Sequence, residues 1–369
     1  MVDTRILTER SIRRRQLPVE NIAETDGSVS SLQMNVVVCS RPGELITDVR
    51  RRPVRQPGQV LIRIRRVGIC GTDYHIFRGT QPYLSYPRIM GHELAGTVEE
   101  SDDASQFALG ATVCVMPYLF CGRCGACRQG KTNCCTDINV LGVHIDGGLA
   151  DYLAVDERYV LNASGLSLDG AAMIEFLSIG YHAVQRGALR SGSHVLVVGA
   201  GPIGMAIALF AGDAGAKVTV VDGVSARTRF CTAQLGAAHA VGLDGDVPSR
   251  LAAITEGEFF DVVFDATGNA AAMEVGFGYV GHGGSYVLVS VVSGEIRFSD
   301  PEFHKREMTL LGSRNATPAD FAAVIQAVRA GRVPVEAMHT HSAALLDLPV
   351  AFRGWMDPAA GVIKAIVRL

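Results

Sequence analysis

His194-Val195-Leu196-Val197-Val198-Gly199-Ala200-Gly201-Pro202-Ile203-Gly204 joins a β-branched run to a glycine-punctuated turn and then to an apolar segment. The run predicts a buried strand over His194 to Val198, and the segment from Ile203 to Ala214 predicts a helix. Between them lies G-x-G-x-x-G. A glycine-rich hexamer alone is weak evidence in a chain holding 41 glycines. Its context is what carries weight: it leaves a strand, opens a helix, and is followed by a second strand, Lys217 to Val221, ending at Asp222. The first glycine permits the tight turn. The second lets a pyrophosphate approach the backbone, and the third lets helix and strand pack closely. The helix start offers free amides and the positive end of its dipole. Gly199, Gly201, Pro202, Ile203 and Gly204 are therefore expected at a dinucleotide. Asp222, eighteen residues beyond Gly204, stands where a carboxylate accepts from ribose hydroxyls and repels a 2′-phosphate, which favours NAD. Arg227 is a further cofactor candidate that tempers this preference, since a nearby arginine can accommodate a 2′-phosphate; otherwise it stacks on adenine or is simply exposed.

Outward from this stretch the chain changes style. From about residue 171, helices and strands alternate, with later strands expected at Val262 to Phe264 and Tyr286 to Val292, as in a parallel doubly wound sheet. Before it, short strands dominate: Val36-Val37-Val38, then Val60-Leu61-Ile62-Arg63-Ile64, with turns at Arg41-Pro42-Gly43 and Gln56-Pro57-Gly58. Thr317-Pro318-Ala319-Asp320 reads as a capped helix start, and Gly361 to Leu369 as a closing strand. Residues 1 to 33 are polar and arginine-bearing, and are expected to form an extension outside the main fold. With 369 residues the chain suits two cores.

The net charge of −3 gives no global field for nucleic acid. Val195 to Gly212 is uncharged and long enough to raise the membrane question, but its glycines and Pro202 fit strand, turn and buried helix better. No secretory segment is visible, so a cytoplasmic protein is expected. Five of the nine cysteines fall between Cys121 and Cys135, which in such a chain points to metal rather than disulfides.

Cys121, Cys124, Cys127 and Cys135 match a closed tetrahedral zinc site that leaves no position for substrate. Cys134 is an alternative to Cys135 as the fourth ligand. An iron–sulfur cluster is the chemical alternative, and a nucleic-acid zinc ribbon the functional one, though only Arg123, Arg128 and Lys131 lie near. A second constellation is Gly68-Ile69-Cys70-Gly71-Thr72-Asp73-Tyr74-His75 with Gly91-His92-Glu93. Cys70, His92 and a carboxylate would make a zinc site with an open position. Glu175, an acid inside apolar Met173-Ile174-Glu175-Phe176, is either that carboxylate's companion or a helix-surface charge.

With these residues in the same order, the chain from about Met34 to Leu369 resembles the zinc-containing medium-chain dehydrogenases, above all their polyol and threonine branch. Asp146-Gly147-Gly148 adds to the likeness. The resemblance implies a GroES-like β-rich catalytic domain, residues 34–177 and 314–369, interrupted by a Rossmann domain at 178–313. It implies that Cys70, His92 and Glu93 ligate a catalytic zinc, that Glu175 binds the metal directly or through water, and that Thr72 and His75 relay a proton. One catalytic and one structural zinc follow, together with a small-molecule substrate and a homo-oligomer, dimer or tetramer. Phe176 departs from the family, where many polyol relatives carry proline. The likeness extends through the segments Ser299 to Lys305 and Gly312 to Pro318, and what this resemblance implies is a sugar acid or polyol substrate of the L-galactonate type. Arg314, Lys305 and His304 are candidate contacts for an anionic or polyhydroxylated substrate, and equally for NAD or solvent.

The expected chemistry is hydride transfer from a secondary alcohol to NAD, with zinc lowering the alcohol's pKa. An L-threonine or simple secondary-alcohol dehydrogenase would use the same machinery. A non-catalytic zinc and nucleotide binder is disfavoured, because a pure binder needs no open metal site.

Overall fold

The computed structural model describes residues 32–369. Most of the extension expected at residues 1 to 33 thus lies outside the described residues, and the first strand, Gln33–Arg41, already begins within its last position.

The strands divide between two principal sheets. Six parallel strands run in the order His239–Val241, Lys217–Val221, His194–Val198, Phe260–Asp265, Val280–Leu288, Thr309–Gly312. The chain starts in the middle, works to one edge, returns and works to the other. This is the strand order of a Rossmann sheet, and the crevice lies where the direction reverses, beside His194–Val198. Val195, Leu196 and Val197 are wholly buried, as expected for a strand covered by helices on both faces.

Hydrophobic pattern places one element of this sheet layer well and another poorly. The helix expected over Ile203 to Ala214 spans Pro202–Asp213. The strand expected over Tyr286 to Val292 occupies Val280–Leu288 instead. Its first half, Val280-Gly281-His282-Gly283-Gly284, hides its strand character behind three glycines. A Cβ on Gly281 would stand 2.7 Å from the carbonyl of Glu258, and one on Gly284 2.9 Å from that of Asp261. The neighbouring backbone comes too close for any side chain there. Beyond Leu288 the chain leaves the sheet, and Val291 is 84% exposed.

The second large sheet has seven strands. Gln59–Ile69 pairs antiparallel with Glu93–Glu100, Tyr152–Asp156 and Lys364–Arg368. Thr112–Val115 and Val160–Asn162 extend it on one side, and His339–Ala344 on the other. A three-stranded sheet, Glu44–Arg51, Gln33–Arg41 and Arg88–Ile89, packs nearby. The register places Gly68 opposite Glu93 and Ala365 opposite Ile69. Three remote parts of the chain therefore meet just before Cys70.

The closing strand occupies Lys364–Arg368. The helix expected from Thr317 spans Pro318–Arg329 and carries the full capping box: Thr317 Oγ1 accepts from Asp320 N at 3.3 Å, and Asp320 Oδ2 accepts from Thr317 N at 2.7 Å.

Candidate active site

Cys70 caps the helix Gly71–Arg78. Its sulfur accepts from Thr72 N at 3.3 Å, and its own N–H donates to Asp73 Oδ2 at 3.0 Å. His92 stands one residue before the strand Glu93–Glu100, and its Nε2 lies 3.1 Å from Cys70 Sγ. The approach depends on Gly91, which takes φ +93. Gly142, at φ +75, packs so closely that a Cβ there would sit 2.8 Å from Gly91 N. The Asp146-Gly147-Gly148 turn is part of this seat: Gly148 N donates to Gly91 O at 2.9 Å.

Glu175 lies in the first turn of the helix Ile174–Gly187 and is only 5% exposed, so the helix-surface alternative fails. The Tyr118 hydroxyl donates to its Oε1. Burial pushes the Glu175 carboxyl up to about 7, against the pull of His92. Donor atoms of Cys70, Asp73 and His92 lie within 4.8 Å of one another, as do those of His92, Glu93 and Glu175. His92 is common to both sets. Burial works against a charge on His92, yet the Cys70 sulfur and the Asp73 and Glu175 carboxylates raise its pKa well above the ordinary value. His92 Nδ1 and Asp73 Oδ1 are buried without hydrogen-bond partners and stand 3.9 Å apart. A buried cluster this rich in anionic donors calls for a cation. A soft sulfur, an imidazole and a carboxylate are the donor types zinc takes.

The four-cysteine lobe is a different object. Donor atoms of Cys121, Cys124, Cys127 and Cys135 also gather within 4.8 Å. Cys134 is exposed and outside the group. Backbone amides aim at the sulfurs: Cys124 N at Cys121, Cys127 N at Cys124, and both Cys121 N and Asp137 N at Cys135, at 3.3 to 3.5 Å. Amides of Cys127 and Thr136 bring Cys124 down to about 5, while desolvation and the neighbouring sulfurs push Cys127 up to about 12. The two values describe one proton-sharing sulfur cluster, whose full deprotonation requires a cation.

At the nucleotide turn, Gly199 takes φ +91 and Gly204 packs against its carbonyl, while a Cβ on Gly201 would meet nothing within 4 Å. The space a pyrophosphate would need is open there, beside the free amides that start Pro202–Asp213. Asp222 accepts from Ala200 N and from Val224 N, each at 2.7 Å. It thereby ties the turn to the end of its strand.

Residues 56–165 match the alcohol dehydrogenase GroES-like domain family, and residues 202–330 match the zinc-binding dehydrogenase family. The L-galactonate-5-dehydrogenase of Escherichia coli K12 is 43% identical over 309 residues, covering 84% of this chain and 91% of that protein. The chain belongs to the zinc-type alcohol dehydrogenases. Solved relatives share the fold. An alcohol dehydrogenase, RspB, of Escherichia coli CFT073, complexed with NADH, superposes with a TM-score of 0.85 at 27% identity, covering 92% of this chain and all of that one. A zinc-binding dehydrogenase of Sinorhizobium meliloti 1021, bound to NADP, gives 0.85 at 27%, covering 91% and 99%. The GroES-like and Rossmann architecture is thus that of an oxidoreductase family acting on CH–OH groups.

Within this zinc-type dehydrogenase fold, several residues that the sequence reading passed over hold the site together. Lys364 is 1% exposed, and its ammonium meets both oxygens of Glu93 at 2.7 and 2.8 Å and the carbonyl of Ile69 at 3.2 Å. It also lies 4.2 Å from the ring centroid of Phe176. Glu93 therefore divides its lone pairs between Lys364 and the donor cluster. The signal was present, since a lysine in the apolar closing strand is as costly as Glu175 in its helix. Asp73 faces His92, in the manner of an outer partner that orients a ligating imidazole. Tyr118 carried no sequence signal, being one aromatic among many.

Other expected residues are placed more loosely. Thr72 is half-buried beside Cys70. His75, on the same helix, is exposed, with its Nδ1 2.9 Å from Thr80 Oγ1. Arg227 is half-buried in the helix Ser225–Gln234. His304 and Lys305 are exposed on the helix Asp300–Lys305, where Lys305 lies 3.7 Å from Glu302. Arg314 is exposed on the turn after Thr309–Gly312, and its carbonyl accepts from Asn133 Nδ2 at 2.8 Å.

Proposed function

We propose that this chain is a zinc- and NAD-dependent dehydrogenase that oxidises a secondary hydroxyl of a sugar acid or polyol, L-galactonate being the type. The observation that carries the reading is His92 shared between two donor sets, Cys70–Asp73–His92 and His92–Glu93–Glu175, in a chain that also carries a six-stranded parallel sheet of the nucleotide-binding kind. The likeness to L-galactonate-5-dehydrogenase over most of both chains supports the substrate class. Sites of two kinds are proposed. Cys70, His92 and Glu93, the last also paired with Lys364, would hold a catalytic zinc, with Glu175 binding it directly or through water. Cys121, Cys124, Cys127 and Cys135 would hold a structural one.

When bound, zinc supplies the Lewis acidity that lowers an alcohol's pKa, and NAD supplies the hydride acceptor. The chain's residues do the rest. The Thr72 hydroxyl, two residues past Cys70, takes the substrate proton, and exposed His75 passes it to water. Gly199, Gly201, Pro202, Ile203 and Gly204 shape the pyrophosphate seat. Asp222 receives the ribose hydroxyls, its placement at the strand end favouring NAD over NADP. Arg227 borders the adenine end. Arg314 fixes the carboxylate of the acid away from the reacting carbon.

Segregation of the strands supports catalytic segments at 34–177 and 314–369 around a Rossmann segment at 178–313. The terminal strand Thr309–Gly312, with Leu310 37% exposed, offers an edge for a second copy, which supports a homo-oligomer. Among the described residues no helix is long and apolar enough to cross a membrane. A four-thiolate lobe suits the reducing cytoplasm.

The test is a panel of sugar acids, polyols, L-threonine and simple alcohols, each with NAD and with NADP. Sugar acids with NAD should give the highest kcat/KM, and Arg314→Ala should cost about 10- to 100-fold on the acid but little on an uncharged polyol of similar length. Turnover confined to L-threonine or simple alcohols would overturn the substrate class. Faster turnover with NADP at equal concentration would overturn the role of Asp222, and equal losses on acid and polyol would return Arg314 to NAD or the fold.

A further inference from the structure

The nucleotide turn leaves the strand His194–Val198, which lies between Lys217–Val221 and Phe260–Asp265. Each flanking strand brings a carboxylate to its carboxyl end, Asp222 on one side and Asp265 on the other. Asp222 grips the turn directly, through Ala200 N. Asp265 takes no part in the chemistry described above, yet it is wholly buried. Its Oδ1 accepts from both the N–H and the hydroxyl of Thr267, at 2.9 and 2.8 Å. Its Oδ2 is buried with no hydrogen-bond partner among the described residues. The Tyr286 hydroxyl beside it donates to Met273 O at 2.9 Å. A buried acid with one idle oxygen is costly to keep. What it secures is the loop Ala266 to Asn269. Thr267 Oγ1 accepts in turn from Asn269 N at 3.1 Å, and Asn269 caps the helix Ala270–Gly276 by accepting from Ala272 N at 3.0 Å. The loop's first residue is tied to the central strand, Ala266 N donating to Val198 O at 2.9 Å. This loop lies on the turn itself. A Cβ on Gly199 would stand 3.1 Å from the carbonyl carbon and oxygen of Ala266 and from Thr267 Cγ2. Gly199 is thus packed both by Gly204, against its carbonyl, and by the Ala266–Thr267 segment.

We propose that Asp265 is a positioning residue for the dinucleotide: by fixing Thr267 it seats the Ala266–Thr267 segment on Gly199 and so sets the shape of the pyrophosphate turn. The inference rests on the nucleotide reading of Gly199 to Gly204. The turn is gripped by one carboxylate from each flanking strand, Asp222 through an amide of the turn and Asp265 through the loop packed on it. A carboxylate suits this task, because one of its oxygens can take two hydrogen bonds and a charged acceptor holds them more strongly than a neutral one. A turn preset in this way loses little freedom when a pyrophosphate binds.

The experiment measures the dissociation constant of NADH by its fluorescence in the unaltered chain, Asp265→Ala, Asp265→Asn and Thr267→Val. It adds kcat and KM for NAD with the best substrate of the panel above, and urea unfolding of each chain without nucleotide. Asp265→Ala should weaken NADH about 10-fold, and its loss in kcat/KM should be carried by KM for NAD. Asparagine keeps an oxygen for Thr267 and should restore part of that loss. Thr267→Val keeps a methyl against Gly199 and removes only the hydroxyl, and should weaken NADH about threefold. Should Asp265→Ala not fold, Thr267→Val decides. Unchanged NADH binding in the variants would overturn the proposal even if their unfolding shifted, because the loop would then serve the fold alone. A loss carried by kcat, or an asparagine variant no better than alanine, would overturn it as well. If the unaltered chain binds neither NADH nor NADPH, the nucleotide reading itself fails and the proposal falls with it. If it binds NADH and the variants bind equally well, the proposal falls and the reading stands.

Discussion

The four-cysteine lobe and the donor cluster around His92 both gather groups of the kind metals take, and they are built in opposite ways. The lobe is one loop of fifteen residues, Cys121 to Cys135. Its sulfurs are steered by amides a few positions away, and three of its four cysteines are only half-buried. The cluster draws Cys70 from a helix start, His92 from a strand start and Glu175 from a second helix, with Lys364 arriving from the closing strand. Its carboxylates are almost fully buried, and each has its own partner: Lys364 for Glu93, Tyr118 for Glu175, and the Cys70 amide for Asp73. A site that only holds metal needs ligand geometry, which one loop can supply. A site that also does chemistry needs an open position and tuned charge, which takes several elements and their supports.

The comparison breaks most directly on metal content. Cys70→Ser should lower dehydrogenase activity at least about 100-fold and remove about one zinc per chain, with the folded far-ultraviolet signal retained. Cys121→Ser should remove the other zinc. Elemental analysis decides: if either variant lost both metals, or neither, the two donor sets would not be independent sites.

A smaller effect is expected where the cluster depends on burial. Lys364→Met leaves the Glu93 carboxylate buried without its cation, and should cost about 3 to 5 kcal/mol in urea unfolding. Arg128→Ala, in the exposed part of the lobe, should cost less than about 0.5 kcal/mol. Similar costs for the two would erase the contrast between a buried and a solvent-facing design.

The smallest effect concerns the joint between the two regions. His182, on the helix that carries Glu175, meets Asp320 Oδ2 at 2.8 Å through Nδ1 and Asn133 Nδ2 at 3.1 Å through Nε2, and Asn133 belongs to the cysteine lobe. Burial works to raise the Asp320 pKa, but the His182 and Thr317 hydrogen bonds hold it below the usual carboxylate value. An acid with a depressed folded pKa contributes stability that is present above the unfolded value and lost as pH falls through the folded one. Asp320→Asn should therefore cost about 1 to 2 kcal/mol at pH 7. The gap from the unaltered chain should narrow below about pH 4. A gap that stayed constant down to pH 3 would show that the carboxylate charge does not matter there.

The amino-acid sequence by itself determined whatever rests on local order. The strand His194–Val198, the turn Gly199 to Gly204 and the cap at Thr317 are legible because their physics spans a few residues: backbone reach, φ preference, first-turn hydrogen bonds. The cysteine lobe is legible for the same reason. Glu175 was visible only as an anomaly, an acid among apolar neighbours, and its surroundings were not. That Lys364 would neutralise Glu93 depends on Gly68 pairing with Glu93 and Ala365 with Ile69, a register joining positions nearly 300 residues apart. The choice of Cys135 over Cys134 and the glycine-laden strand Val280–Leu288 were likewise decided by tertiary structure. The physical reason is common to all of them: burial cost and electrostatic pairing depend on what packs against a residue, and sequence spacing carries that information only when the partner lies within a turn or a loop.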